Sequence, residues 1–308
     1  MSGTLPYRDL NSHLRERFGV RVQKVTLDAG LTCPNRDGRL GVGGCLYCNA
    51  RGSGTGAWAR GQSITAQLEQ GMARLSRRYG ASSFIAYFQS FSNTYAPGET
   101  LRALYHEALA FPEVAGLSIG TRPDCLSPEI LDLLADIAQE RLLWLELGLQ
   151  SAHDHTLKLI NRGHDVACFT RAVREAAARG LEVVAHVILG LPGEGPAEMA
   201  ATARYLGELP LQGVKIHLLY VIRGSGLEKM YRAGNYSPLE VEECVGLVAD
   251  FLELLPPHLV IHRLTGDPHP EELVAPTWCL NKSQVLQNIR EELARRGSRQ
   301  GSAGGGGG

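Results

Sequence analysis

Six short apolar runs, at residues 22–27, 83–90, 115–121, 142–150, 182–191 and 213–222, alternate along the chain with stretches whose apolar residues recur at helical spacing. That order admits few folds, chiefly parallel strands each followed by a covering helix. The helical stretches lie at 65–79, 100–110, 128–139, 166–179 and 197–209. Ser127-Pro128 places a capping hydroxyl before a proline at the first helical position, where the missing N–H costs nothing. Beyond the sixth run, 237–255 reads as a further helix, 259–264 as a short strand and 281–296 as a basic terminal helix. No internal repeat of fixed period is present.

The strand faces indicate what the sheet encloses. In the fourth run Glu146, Gly148 and Gln150 share one face while Leu145, Leu147 and Leu149 share the other. Ser118, Gly120 and Arg122, then His186, Ile188 and Gly190, then Lys215 and His217, form similar polar-bearing sets. A closed, packed barrel wants branched apolar residues inside, so polar inner faces predict an open lumen that holds a ligand. The expected fold is α/β, a partial (β/α)6 TIM-type barrel with a small C-terminal extension. Residues 1–225 are expected to form the barrel and its lead-in, 226–296 a helical extension packed on it, and 297–308 a flexible Gly/Ser-rich tail that buries nothing.

With 308 residues and a formal charge of −1, the chain offers no global electrostatic case for nucleic acid. The local clusters Arg74, Arg77, Arg78 and Arg290, Arg295, Arg296, Arg299 read as solvated helix faces. No run approaches membrane-spanning length and the first residues lack a secretory pattern, so a cytoplasmic protein without membrane contact is expected. Seven cysteines is an odd number, and three of them fall within sixteen residues, which suits a metal site in a reducing compartment better than a disulfide framework.

Those three are Cys33, Cys45 and Cys48, with eleven residues between the first two and two between the last two. Three thiolates leave one iron of a four-iron cubane open to a ligand. A structural zinc site wants a fourth ligand, and the nearest histidines in sequence, His13 and His106, would have to reach it from a distance. The loop follows the first strand directly, at the end of the sheet where barrel enzymes carry their working groups.

Here the sequence resembles the radical S-adenosylmethionine (SAM) superfamily, in the branch with the catalytic subunit of Elongator and the oxygen-independent coproporphyrinogen oxidases. The match is carried by the cysteine loop, by Gly120-Thr121-Arg122-Pro123-Asp124, by Glu146 through Ser151 with Asn161-Arg162-Gly163-His164, and by Gly190 through Glu194. The resemblance implies that Cys33, Cys45 and Cys48 ligate a 4Fe–4S cluster and that Tyr47 flanks the SAM adenine. Gln150 and Arg162 would bond the SAM ribose and carboxylate, and Ile188 would contact the adenine. Gln89 and Asn93 stand where relatives carry a glycine-rich motif for the SAM amino group, although the letters differ. Many members place three residues between the first two cysteines, against eleven here. Elongator's catalytic subunit carries an acetyltransferase domain after its barrel, whereas residues 223–308 follow the sixth run here, so acetyl transfer is not expected.

The resemblance further implies reductive cleavage of SAM to a 5′-deoxyadenosyl radical that takes a hydrogen atom from a substrate in the lumen. It also implies an external electron donor of flavodoxin or ferredoxin type. Modification of tRNA wobble uridine is the expected chemistry. Oxidation or decarboxylation of a small molecule, and a non-enzymatic metal- or cluster-binding role, stay open as alternatives. Arg122, His186, Lys215 and His217 are expected on the substrate side. Cys125, at a strand end, is a candidate hydrogen donor, while Cys168, Cys244 and Cys279 read as packing residues.

Overall fold

The computed structural model describes residues 5–52 and 56–304. Seven parallel strands curl into a half-barrel: β1 (Val22–Leu27), β2 (Ser83–Phe88), β3 (Val114–Thr121), β4 (Leu142–Gln150), β5 (Glu182–Leu189), β6 (Gly213–Leu218) and β8 (Val260–Arg263), hydrogen-bonded in that order. A two-residue strand, β7 (Val221–Ile222), leaves this sheet and pairs antiparallel with β9 (Leu273–Ala275). The helices are α1 (Leu10–Phe18), α2 (Ile64–Tyr79), α3 (Gly98–Leu109), α4 (Pro128–Glu140), α5 (Asp154–Leu159), α6 (Val166–Ala177), α7 (Pro196–Gly207), α8 (Gly226–Arg232), α9 (Val241–Leu254) and α10 (Lys282–Arg296).

Period-two alternation builds the two faces. Val25, Ala86, Leu117 and Leu143 are register partners across four strands, and all are buried in the outer core under the helices. Deleting one such side chain, as in Leu117→Ala, removes a packed group that has no room to be replaced and costs roughly 2–5 kcal/mol. At the N-terminal end of the half-barrel, Leu14 of α1 closes the interior with Val22, Ile85, Leu142, Trp144 and Val184. That helix is held by Asp9, whose carboxylate accepts from the backbone N–H of Asn11 and Ser12, and it stops at Gly19 with φ 71°. Ser127 caps α4 by accepting from Ile130 N–H, as its sequence predicts.

Three expectations need correction. The sheet has seven strands rather than six, because β8, from the segment expected to be a helical extension, pairs with β6 and completes the lumen wall. The run 213–222 is two strands, not one: β6 stops at Leu218 and β7 turns out to meet β9. Residues 297–304 are not a loose tail. Gln300 is buried, its side chain donates to the carbonyls of Pro256 and Leu259 and accepts from Arg8 N–H, and Gly301 N–H bonds Leu252 O. Burial of one side-chain amide with three satisfied bonds, beside the Gln300 N–H on Pro6 O, ties this segment to the start of the fold. The rest of that segment, 305–308, lies outside the described residues. Among the described residues no helix is long and apolar enough to cross a membrane.

Candidate active site

A cavity of about 590 Å3 opens at the C-terminal ends of the strands. Cys33, Cys45 and Cys48 line its mouth together with Tyr47, Gln89, Arg122, Gln150, Arg162 and Ile188, and His186, Lys215 and His217 line it further in. Residues separated by up to 246 positions in sequence, from Thr26 to Glu272, therefore meet in one space.

The cysteine loop is pinned to the segment after β4. Leu46 N–H bonds Ile160 O at 2.9 Å, and the Asn161 side chain donates to Gly44 O at 2.8 Å. Asn35, 1% exposed, donates to Asn161 O and lies 3.8 Å from the Cys45 sulfur. Gly44 is at φ 80°, and a Cβ there would lie 2.8 Å from Arg36 Nε, so the loop closes only over a glycine. Arg162 is buried; its Nη1 lies 3.6 Å from the Cys45 sulfur and its Nη2 donates to Gly148 O at 2.7 Å. The Cys48 thiol, with the Arg162 and Arg122 guanidiniums, holds Cys45 well below the ordinary thiol range despite burial.

A cluster and a carboxylate-bearing ligand fit this mouth on its own chemistry. Arg162 Nε and Arg122 Nη1 are buried without a partner among the described residues, so both guanidiniums keep a donor in reserve beside the thiols. Gly148 makes room: a Cβ there would lie 2.5 Å from Arg162 Nη2 and 2.6 Å from Gln150 Nε2. The register slips between Gly148 and Gln150, and Gln150 sits at φ 80°. A non-glycine residue held there costs of order 1–3 kcal/mol, a strain that belongs to sites which aim a side chain.

Deeper in, Glu146 is 0% exposed and gathers four partners. Lys24 Nζ lies 2.5 Å from one carboxylate oxygen, on which Ser118 also donates. His186 Nε2, at 2.5 Å, and Lys215 Nζ, at 2.9 Å, meet the other. Burial alone would raise the carboxyl, but Lys215, Lys24 and His186 outweigh it and hold Glu146 ionised well below the usual range. Burial pushes Lys215 down to about 7 against the pull of Glu146, and burial with Lys215 pushes His186 down to about 4. Lys215 also donates to Tyr87 Oη at 2.7 Å.

Two candidates fall elsewhere. Asn93 is fully buried in the wall, donating to Gly120 O at 2.8 Å rather than facing the cavity. Cys125 lines a separate cavity of about 810 Å3 behind the cysteine loop; burial pushes its thiol up to about 12, and it lies outside the lumen. The strand-end position that suggested it continues into a 3-10 turn, Pro123–Cys125, which swings the thiol outward. Of the basic clusters, Arg295 and Arg296 are absorbed by Glu292, Asp250 and Glu253, and Arg77 and Arg78 end α2 at the opposite end of the sheet. Lys24, Tyr87 and Arg263 were not anticipated in the site. The signal was present as a cation inside each of two short strands, at a position of the polar face.

A half-barrel with three cysteines on its first loop and a polar lumen is the arrangement of a radical SAM enzyme. The chain belongs to that superfamily: the Radical SAM superfamily profile matches residues 33–206, and the Radical SAM C-terminal domain profile matches 211–295. It is 44% identical over 295 residues to the uncharacterized protein YtqA of Bacillus subtilis, covering 96% of this chain and 92% of that one. It is 34% identical over 155 residues to a tRNA uridine(34) acetyltransferase of Dehalococcoides mccartyi, covering 49% of this chain and 33% of that protein. The archaeal Elp3 of Methanocaldococcus infernus with an N-terminal deletion has the same fold, with TM-score 0.70 at 18% identity over 91% of this chain, which spans 64% of that structure. The family works with a 4Fe–4S cluster and SAM, and needs an external reductant.

Proposed function

We propose that Cys33, Cys45 and Cys48 hold the cluster, that Arg162, Gln150, Tyr47 and Ile188 hold SAM, and that the enzyme modifies the wobble uridine of tRNA. The observation that carries the site assignment is that all seven residues line one cavity at the strand ends. When bound, the cluster and SAM supply a one-electron reduction and a hydrogen-abstracting radical. This chain's own part is to orient and to exclude water. Arg162 offers its spare Nε–H to the SAM carboxylate beside Cys45, Gln150 is aimed by its strained backbone, and Arg122 is locked by a bidentate pair with Asp124 at 2.7–2.8 Å. His186, Lys215 and His217 face the substrate from below. The electron is delivered by a flavodoxin- or ferredoxin-like protein.

The tRNA assignment is supported by the identity to the uridine(34) acetyltransferase, which spans 155 residues and 33% of that protein. Anaerobic reduction of the cluster-loaded protein with SAM is expected to release 5′-deoxyadenosine, and a Cys33→Ala, Cys45→Ala, Cys48→Ala variant is expected to release none. Filter binding tests the substrate: tRNA affinity that falls steeply with salt supports it, and no salt-sensitive affinity would sink it.

A further inference from the structure

Gly148, His186, Lys215 and Arg263 are register partners in one row across β4, β5, β6 and β8. Lys215 and Arg263 therefore project side by side from neighbouring strands into the lumen, and both line the cavity. Like charges paired across a sheet repel. A fold that keeps them needs an anion between them or nearby.

The protein supplies only part of that charge. Glu146 serves Lys24 and Lys215. Arg263 has no carboxylate within ion-pair distance among the described residues; its Nη2 meets the His217 Nδ1 at 2.7 Å, and its Nε is buried without a partner. His217 is no counter-charge, because burial and Arg263 hold it neutral far below its ordinary range. The other acids lining the cavity are engaged at the rim, Glu272 with Arg51 at 2.8 Å and Asp267 with Lys282 at 3.4 Å. Among the described residues Glu146 thus answers the two lysines, and Arg263 is left as a half-buried guanidinium with no acid of its own in the lumen, an expensive arrangement when left uncompensated.

We propose that the β6/β8 corner of the lumen is a subsite for a carboxylate carried by a small co-substrate, since an unmodified uridine has none, received by Arg263 and Lys215; this rests on reading the cavity as the active site. A planar two-oxygen anion matches a guanidinium edge beside an ammonium. The SAM carboxylate has its own donors in Arg162 and Arg122 at the mouth, so this corner serves a different group. Anchored there, the co-substrate would extend its uncharged part along the Gly148–His186 row toward the cysteine loop.

The test is titration of the cluster-loaded protein with 13C-acetate, inorganic phosphate and acetamide, followed by carbon line broadening and by the melting temperature. Acetate is expected to saturate and raise the melting temperature, with acetamide inert. Arg263→Gln is expected to weaken acetate at least about tenfold, close to 1.4 kcal/mol, and Arg263→Lys to recover part of the loss. Without acetate, Arg263→Gln is expected to melt no lower than the parent, since it removes a repulsion; a purely structural arginine would leave it less stable. Acetate binding no better than acetamide, phosphate binding tighter than acetate, or full affinity in Arg263→Gln would each overturn the proposal. SAM cleavage by the unmodified protein is measured in parallel. If cleavage is absent, the active-site reading falls whatever acetate does; if cleavage is present and acetate does not saturate, only the carboxylate subsite falls.

Discussion

The mouth of the cavity and its floor are built by opposite means. At the mouth, sixteen consecutive residues, Cys33 to Cys48, bring all three thiols as one unit, which bonds to Ile160 and Asn161, the latter 117 residues from its partner Gly44, dock on the segment after β4. At the floor, Lys24, Tyr87, Glu146, His186, Lys215 and Arg263 come from six different strands, and no two of them are close in sequence. The mouth can tolerate drift in the barrel, because its ligands move together. The floor cannot, because each charge depends on a partner delivered by another strand. The chemistry common to a superfamily thus sits on a local segment, and the part that faces a particular substrate sits on the long-range assembly.

Four changes probe that contrast, in descending order of effect. Replacing all three loop cysteines with alanine should abolish the visible iron–sulfur absorbance and SAM cleavage while leaving the circular dichroism of the barrel intact; loss of the fold would show that the mouth is not independent of the floor. Glu146→Gln should do the reverse, destabilising the protein by about 3–5 kcal/mol in denaturant melts, because Lys24 and Lys215 lose a buried counter-charge. Gly148→Ala should keep the fold but push Arg162 and Gln150 aside, weakening SAM about tenfold, near 1.4 kcal/mol, by equilibrium binding.

The smallest effect is a slope. Lys215 falls from an ordinary 10.5 to about 7 on folding, so between these values the unfolded chain binds the extra proton. Stability from this group is therefore lowest below about pH 7 and rises as pH increases toward 10.5. Lys215→Met should flatten that rise in melts across the window. An unchanged slope would place the titration on another group.

Much of this was legible beforehand. Alternation of short apolar runs with helical stretches located β1 to β6, and the polar face of β4 placed Glu146, Gly148 and Gln150 in the lumen. The cysteine spacing located the mouth. What escaped was every feature that depended on a partner distant in sequence. The strand at 259–264 looked like an appendage, because nothing local says that it pairs with β6. Asn93 and Cys125 sat at strand ends as site residues do, but the turn after each strand sends one into the wall and the other behind the loop. Gln300 lies among glycines and serines, and only the carbonyls of Pro256 and Leu259 make it part of the core.

The division has a physical cause. Hydrophobic period, capping residues and the spacing of thiols act over one or two turns of chain, so the order of βα units, the helix starts and the metal chemistry are written into the residues themselves. Charge balance acts through space. Which lysine shares Glu146, which arginine is left without an acid, and how far burial moves each proton all depend on register between strands and on the desolvation that closing the half-barrel imposes. Those quantities exist only once the sheet has curled.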